Sequence, residues 1–133
     1  MTENNMADAN YPDDLLYHPE HDWARVQDGV GTFGITWYAQ DALGEVVFFE
    51  PPAVGTAVTK DAPYTEVESV KAVSDVVAPM SGEIVEVNSA LADTPEAIND
   101  EPYGEGWIVK VKLSDPDEAG TLLDAAAYKA SLG

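Results

Sequence analysis

Glu66-Val67-Glu68-Ser69-Val70-Lys71-Ala72-Val73-Ser74-Asp75-Val76-Val77 holds two strand-forming runs that meet at a lysine. Tyr64 to Val70 is one run, and Val73 to Val77, stopped ahead of Pro79, is the other. A hairpin that joins them puts Lys71 at an exposed tip. Spacing alone leaves such a lysine as a solvated turn residue, because turns lie on the surface. Glu66 and Glu68 stand two apart, which on a strand places both on one face, and a solvated face is the ordinary explanation.

Working outward, the same β grammar recurs. Trp23-Ala24-Arg25-Val26 reads as a strand, Asp28-Gly29 as a tight turn, and Val30 to Thr36 as the returning strand. Trp37 to Leu43, started by Thr36 and stopped by Gly44, has the length and caps of a short helix. Glu45 to Phe49 is β-rich and ends at Pro51-Pro52. Gly82-Glu83-Ile84-Val85-Glu86-Val87 echoes Gly44-Glu45-Val46-Val47-Phe48-Phe49, as two related halves would. Thr94-Pro95-Glu96 has the form of a helix start. Trp107 to Leu113 alternates, with Trp107, Val109, Val111 and Leu113 assigned to one face and Ile108, Lys110 and Lys112 to the other. Asp115-Pro116-Asp117-Glu118 supplies a cap, a helix-starting proline and a capping-box glutamate ahead of the helical composition of Leu122 to Leu132. The chain is thus mostly β, with short helices and a helix at the C-terminus.

The 133 residues suit one domain able to bury roughly two-thirds of its unfolded surface. Residues 1–14 lack apolar periodicity and read as a flexible acidic tail, so residues 15–133 are expected to form the single domain. Hydrophobic residues at 45% and charged residues at 23% are globular proportions. Twenty-five acidic against six basic residues give a net charge of −19, which repels phosphate backbones and anionic membranes. No apolar run approaches a membrane span, and the acidic N-terminus has the wrong sign for a targeting signal. A cytoplasmic, monomeric protein is expected. Cysteine is absent, which excludes disulfides, thiolate metal sites and cysteine nucleophiles.

Few motifs carry chemistry. Gly29-Val30-Gly31-Thr32-Phe33-Gly34 has the glycine spacing of a dinucleotide loop. That loop works only where a strand turns into a helix, and here the glycines fit a hairpin better. His18 and His21 are the only histidines, and a metal site would need further placed ligands, so a local structural or docking role is preferred. Of five lysines, Lys60, Lys110, Lys112 and Lys129 have ordinary solvent-facing settings. Lys71, at the turn, stands apart.

The residues around Lys71 add to this. Glu68-Ser69-Val70-Lys71-Ala72-Val73-Ser74-Asp75 resembles the lipoyl-attachment segment of the glycine cleavage system H proteins. His21-Asp22-Trp23 is similar to that family's His-Glu-Trp, and Gly34-Ile35-Thr36 with Tyr38-Ala39-Gln40-Asp41-Ala42-Leu43-Gly44 to a second family segment. Ala78-Pro79-Met80-Ser81-Gly82-Glu83, Glu101-Pro102-Tyr103-Gly104-Glu105-Gly106-Trp107 and Leu122-Leu123-Asp124-Ala125 with Tyr128 extend the resemblance collinearly over about residues 15 to 132. Three positions depart from the pattern. Asp22 replaces a glutamate and reaches less far, Trp37 replaces an aspartate and sets an aromatic where exposure is expected, and Pro51 replaces a leucine.

The resemblance implies a flattened β-barrel or sandwich of the lipoyl and biotinyl type, and a carrier without catalytic residues. Lipoate would be amide-linked to Lys71, within an attachment motif of Glu68, Ser69, Val70 and Ala72. Biotinyl domains usually show Met-Lys-Met at the tip, whereas Val70-Lys71-Ala72 speaks for lipoate. Glycine decarboxylase would load the arm with an aminomethyl group, an aminomethyltransferase would unload it, and dihydrolipoamide dehydrogenase would reoxidise it. Lipoate-attaching enzymes are further implied partners. In the family the loaded arm folds into an acidic cleft, and the matching positions are Asp22 and Asp75. An alternative within the class is a relay protein that donates lipoyl or octanoyl groups to the acyltransferases of 2-oxoacid dehydrogenases. Outside it stand a scaffold that has lost its cofactor, against which the intact motif speaks, and a folate- or nucleotide-dependent enzyme, for which no constellation exists.

Overall fold

Asp28 and Gly29 both adopt the left-handed backbone, with φ of 53° and 80°, as a two-residue type I′ hairpin turn requires. They join strands β2 (Asp22–Gln27) and β3 (Val30–Ile35), paired in register from Gln27 with Val30 to Asp22 with Ile35. The glycine pattern at 29–34 therefore belongs to a turn and a strand, not to a phosphate loop.

The computed structural model describes residues 10–132. β1 (Leu16–His18), β5 (Ala57–Val58), β8 (Gly82–Val87) and β9 (Val109–Leu113) join that hairpin in a six-stranded sheet of order β1-β2-β3-β9-β8-β5. β4 (Val46–Phe49), β6 (Pro63–Ser69) and β7 (Val73–Val77) form a three-stranded sheet of order β4-β6-β7. Every pairing is antiparallel. Phe33, Ile84 and Val111 of the larger sheet and Phe49, Val67 and Val76 of the smaller share one buried core. The expected two-sheet β architecture is what forms.

Helix α1 (Trp37–Leu43) begins where the Thr36 hydroxyl accepts a hydrogen bond from the Ala39 N–H at 3.2 Å, and it stops at Gly44. α2 (Ala90–Asp93) and α3 (Ala97–Asp100) are single turns, and α4 (Ala125–Ser131) is capped by Asp124 on the Ala127 N–H. A second core lies between α4 and the β1-β2 edge, where the Tyr17 and Tyr128 rings stack 4.8 Å apart against Leu15 and Trp23.

Several local expectations are corrected. Tyr11 is buried against Tyr17 and Tyr128, and the Tyr17 hydroxyl donates to the Pro12 carbonyl at 2.7 Å, so packing begins ahead of Leu15. Residues 1–9 of the expected tail lie outside the described residues. Ile108 is fully buried in the inter-sheet core, while half-buried Trp107 packs on the second core. The alternation holds only from Val109, where the strand starts, because the two residues before it serve different cores. Glu118 does not close a capping box. The segment is a 3-10 helix (Pro116–Thr121), and the Glu118 carboxylate instead accepts from the Ser81 N–H at 2.7 Å and hydroxyl at 3.0 Å. Trp37 is half-buried against the second core, and its backbone N–H donates to the Tyr103 hydroxyl at 2.8 Å.

Candidate functional site

The β6-β7 hairpin closes with Glu68 paired to Val73, leaving Ser69 to Ala72 as the turn. Ser69, with a buried side chain, builds it. Its hydroxyl oxygen accepts from the N–H groups of Lys71 (3.2 Å) and Ala72 (3.1 Å), its hydroxyl donates to the Ala72 carbonyl (3.2 Å), and its own N–H donates to that carbonyl (2.8 Å). A serine able to bridge three backbone groups gives the tip one shape. The Val70 N–H donates to the Glu45 carbonyl at 3.0 Å and fastens the tip to the start of β4. Lys71 is exposed between Val70 and Val73, which are 65% and 58% exposed.

Gly44 completes the platform. It ends α1 at φ 86°, and a Cβ there would sit 3.4 Å from the Lys71 Cε, so the lysine stem lies over a residue with no side chain. Asn99 holds this platform from below, a role that sequence reasoning missed. Its amide donates to the Gly44 carbonyl (2.9 Å) and to Gln40 Oε1 (3.0 Å), and its Oδ1 accepts from the Val46 N–H (2.8 Å). Only the long-range fold brings residue 99 under residue 44, so no local signal exists.

A cleft of about 320 Å³ opens beside the tip, between α1 and β7. Ala72, the residue after the lysine, is part of its lining, and Asp22, Asp75, Glu20 and His21 supply polar wall, with Ile35, Leu43 and Val67 among the apolar lining. Asp22 and Asp75 are thus brought to one cavity although 53 positions apart in the chain. They differ in setting. Asp75 is exposed on β7, whereas Asp22 is 2% exposed and its Oδ2 has no hydrogen-bond partner among the described residues. Burial pushes the Asp22 carboxyl well above the usual carboxylate range, against a lowering bond from the Val77 backbone. The Tyr64 hydroxyl, close enough to feel the Asp22 charge, is likewise buried and unpartnered among the described residues.

Glu68 is not in this cleft. It lies on the outer face of β6 with Glu66, both exposed, in a separate groove with Phe48 and Glu50. The histidines part company. His18 Nδ1 accepts from the Glu20 N–H at 3.0 Å, and its Nε2 lies 2.6 Å from Asp61 Oδ1, while His21 Nδ1 lies 2.8 Å from the Tyr128 hydroxyl. His18 and Lys60 hold the Asp61 carboxyl below its usual range. Among the described residues no cluster of three or more metal-ligating side chains forms.

A two-sheet β scaffold that sets an exposed lysine on a hairpin tip beside a cleft has the form of a carrier protein. The comparisons with known proteins say which carrier. The family model described as glycine cleavage H-protein matches residues 15–133, and the chain belongs to that family. It is 56% identical over 122 residues to the glycine cleavage system H protein of Symbiobacterium thermophilum, covering 92% of this chain and 95% of that one. To the H protein of Escherichia coli O7:K1 it is 53% identical over 125 residues, covering 93% and 97%. The crystal structure of a glycine cleavage system H protein from Mycobacterium marinum superposes with a TM-score of 0.85 at 41% identity, covering 92% of this chain and 98% of that one. The protein is a non-catalytic lipoyl carrier of the glycine cleavage system, and its family carries the lipoyl group on a lysine. Among the described residues no helix is long and apolar enough to cross a membrane.

Proposed function

We propose that Lys71 Nζ is the site of lipoyl attachment and that the cleft walled by Asp22 and Asp75 receives the loaded arm. The observation that carries this is continuity. Ala72, one residue from the tip lysine, lines the cleft, whose wall holds a buried carboxylate oxygen that no described residue satisfies. A buried acceptor without a partner is costly, and a cationic amine placed there would remove the cost.

Attached lipoate brings the sulfur chemistry that a cysteine-free chain lacks, a disulfide able to carry an aminomethyl unit between enzymes. The chain's own residues position and protect. Ser69 fixes the tip so that Nζ is offered to enzymes, and Glu68, Val70 and Ala72 give lipoate-attaching enzymes a motif to read. Asp22 and Asp75 attract an ammonium, while Ile35, Leu43 and Val67 keep water from it. Glycine decarboxylase loads the arm, aminomethyltransferase unloads it and dihydrolipoamide dehydrogenase reoxidises it. The carrier works as a cytoplasmic monomer, and its charge of −19 keeps it from nucleic acid and anionic membranes.

Intact mass after incubation with a lipoate ligase, ATP and lipoate tests the attachment site. Wild-type protein is expected to gain one lipoyl group and Lys71→Arg none. Equal gain by the arginine variant would place the group elsewhere.

A further inference from the structure

We infer that His21 is a positioning residue of the cleft, held as the uncharged Nε2–H tautomer by a hydroxyl chain that runs from Thr36 through Tyr128. The part that concerns the arm rests on the docking proposed above; the tautomer does not.

His21 lines the cleft with Asp22 and Asp75, and it does so from a left-handed backbone, φ 75°, unusual for a side-chain-bearing residue. Its N–H donates to the His18 carbonyl (2.9 Å) and its carbonyl accepts from the Thr36 N–H (3.0 Å), which hold that conformation. The ring lies tilted at 34° to that of Tyr38, centroids 4.5 Å apart, and Nδ1 lies 2.8 Å from the Tyr128 hydroxyl. The Tyr128 hydroxyl in turn lies 2.8 Å from the fully buried Thr36 hydroxyl.

Proton counting sets the direction of this chain. Thr36 Oγ1 already accepts from the Ala39 N–H, and among the described residues Tyr128 is the one acceptor its proton has. If Thr36 donates to Tyr128, Tyr128 donates to His21 Nδ1 and every proton is placed. The reverse order strands the proton of a buried hydroxyl. Nδ1 is then an acceptor, Nε2 carries the ring proton, and an imidazolium would need the whole chain to turn round.

The neighbours explain what such a lock is for. Glu20 draws His21 towards its charged form, and Asp22 and Asp75 stand in the same cleft. Burial and His18 act the other way, and the ring's affinity for a proton is below that of an ordinary histidine. Tyr38 and Tyr128 are the titratable groups facing it from α1 and α4. A histidine free to charge would repel the cationic cargo; a neutral one leaves the carboxylates to receive it.

Nitrogen-15 NMR of the unmodified protein tests the lock. Wild type should show the Nε2–H tautomer, and Tyr128→Phe, which keeps the ring stack, should raise the His21 pKa by about half a unit or more, because the neutral form loses its donor. An Nδ1–H tautomer, or an unmoved titration, overturns the inference. Loss of aminomethyl from the loaded lipoyl protein tests the consequence. The ratio of the Tyr128→Phe rate to the wild-type rate should climb about threefold or more as pH falls through the variant's His21 pKa. It should stay level when His21→Asn, a residue suited to the left-handed backbone, is added. A level ratio without that addition overturns the positioning role if Asp22→Asn still speeds the loss. If Asp22→Asn changes nothing either, the docking reading has failed and the tautomer stands on the NMR result alone.

Discussion

Asp22 sets two demands against each other in one carboxylate. In the proposed docking it must be available to a cation, yet folding buries it with Oδ2 unpaired among the described residues. Its folded-state proton affinity is raised by burial above the ordinary value of 3.8. Between that value and the raised one, the folded state holds a proton that the unfolded state has lost. Stability therefore falls as pH rises through this window and stays low above it. Asp22→Asn should raise the stability of the unmodified protein by about 1–3 kcal/mol at neutral pH. The gain should shrink towards nothing as pH falls to about 4. Urea midpoints of both proteins at the two pH values check this. The same variant should shed aminomethyl faster once loaded, a trade of function for stability expected where a polar group is buried for use. Gly44 is a second position with little latitude. Alanine there would meet a positive-φ backbone costing about 1 kcal/mol and bring a methyl into contact with the Lys71 stem, so Gly44→Ala should lower stability by that amount and slow lipoylation.

The hairpin tip depends on parts that are not in the hairpin. Ser69 shapes the turn from within, but Val70 is tied to Glu45, and Gly44 and Val46 on either side of Glu45 are both tied to Asn99 on α3. Asn99→Ala leaves the Val46 N–H and the Gly44 carbonyl without their partner, at about 1–3 kcal/mol in all. Amide exchange at Val46 should quicken more than exchange at Val111 in the central β9. Equal effects at both would point to global destabilisation instead. The strands also repay comparison. The β4 register shifts between Val46 and Phe48, and the β8 register shifts between Ile84 and Glu86. These are the same places in the two segments whose sequences echo one another. Each strand thus has a buried residue followed by an exposed valine, Val47 or Val85, at its bulge. The repeat is one of strand shape, carried once in each sheet.

For the molecule as a whole, charge and attachment act together. Under the proposed attachment, a net charge of −19 would become more negative by one as an amide replaced the Lys71 ammonium. Carboxylates also surround the tip, with Glu66, Glu68 and Asp75 exposed on the hairpin that bears it. Such a surface speeds encounter with basic partner surfaces more than it tightens the complexes formed. The association rate with aminomethyltransferase should fall about tenfold or more from low to physiological ionic strength, with a much smaller change in dissociation. Stopped-flow measurement in a salt series separates the two, and a salt-independent association rate would show that the acidity serves another end.

The sequence by itself determined seven of the nine strands, the hairpin tip and the family; β1 and β5, three and two residues long, are too short to show a period. Asp28-Gly29 and Thr36 with Gly44 carry their structure in local backbone preferences, and Glu68 to Asp75 is a contiguous motif, so each can be read without knowing what lies across the fold. The sequence also marked Asp22 and Asp75 through resemblance, with nothing in their own neighbourhoods to pair them. What only the tertiary structure decided was every relation between distant residues. Ile108 looked like a partner of Lys110 and Lys112 until the second core was seen to draw Trp107 aside. Glu118 had the spacing of a capping box, but Ser81 lay closer at hand. Asn99 beneath Gly44, and Tyr128 behind His21, have no local signature at all. A hydrogen bond between side chains far apart in sequence depends on where the sheets bring them, and periodicity records only which face a residue takes, not what it meets there.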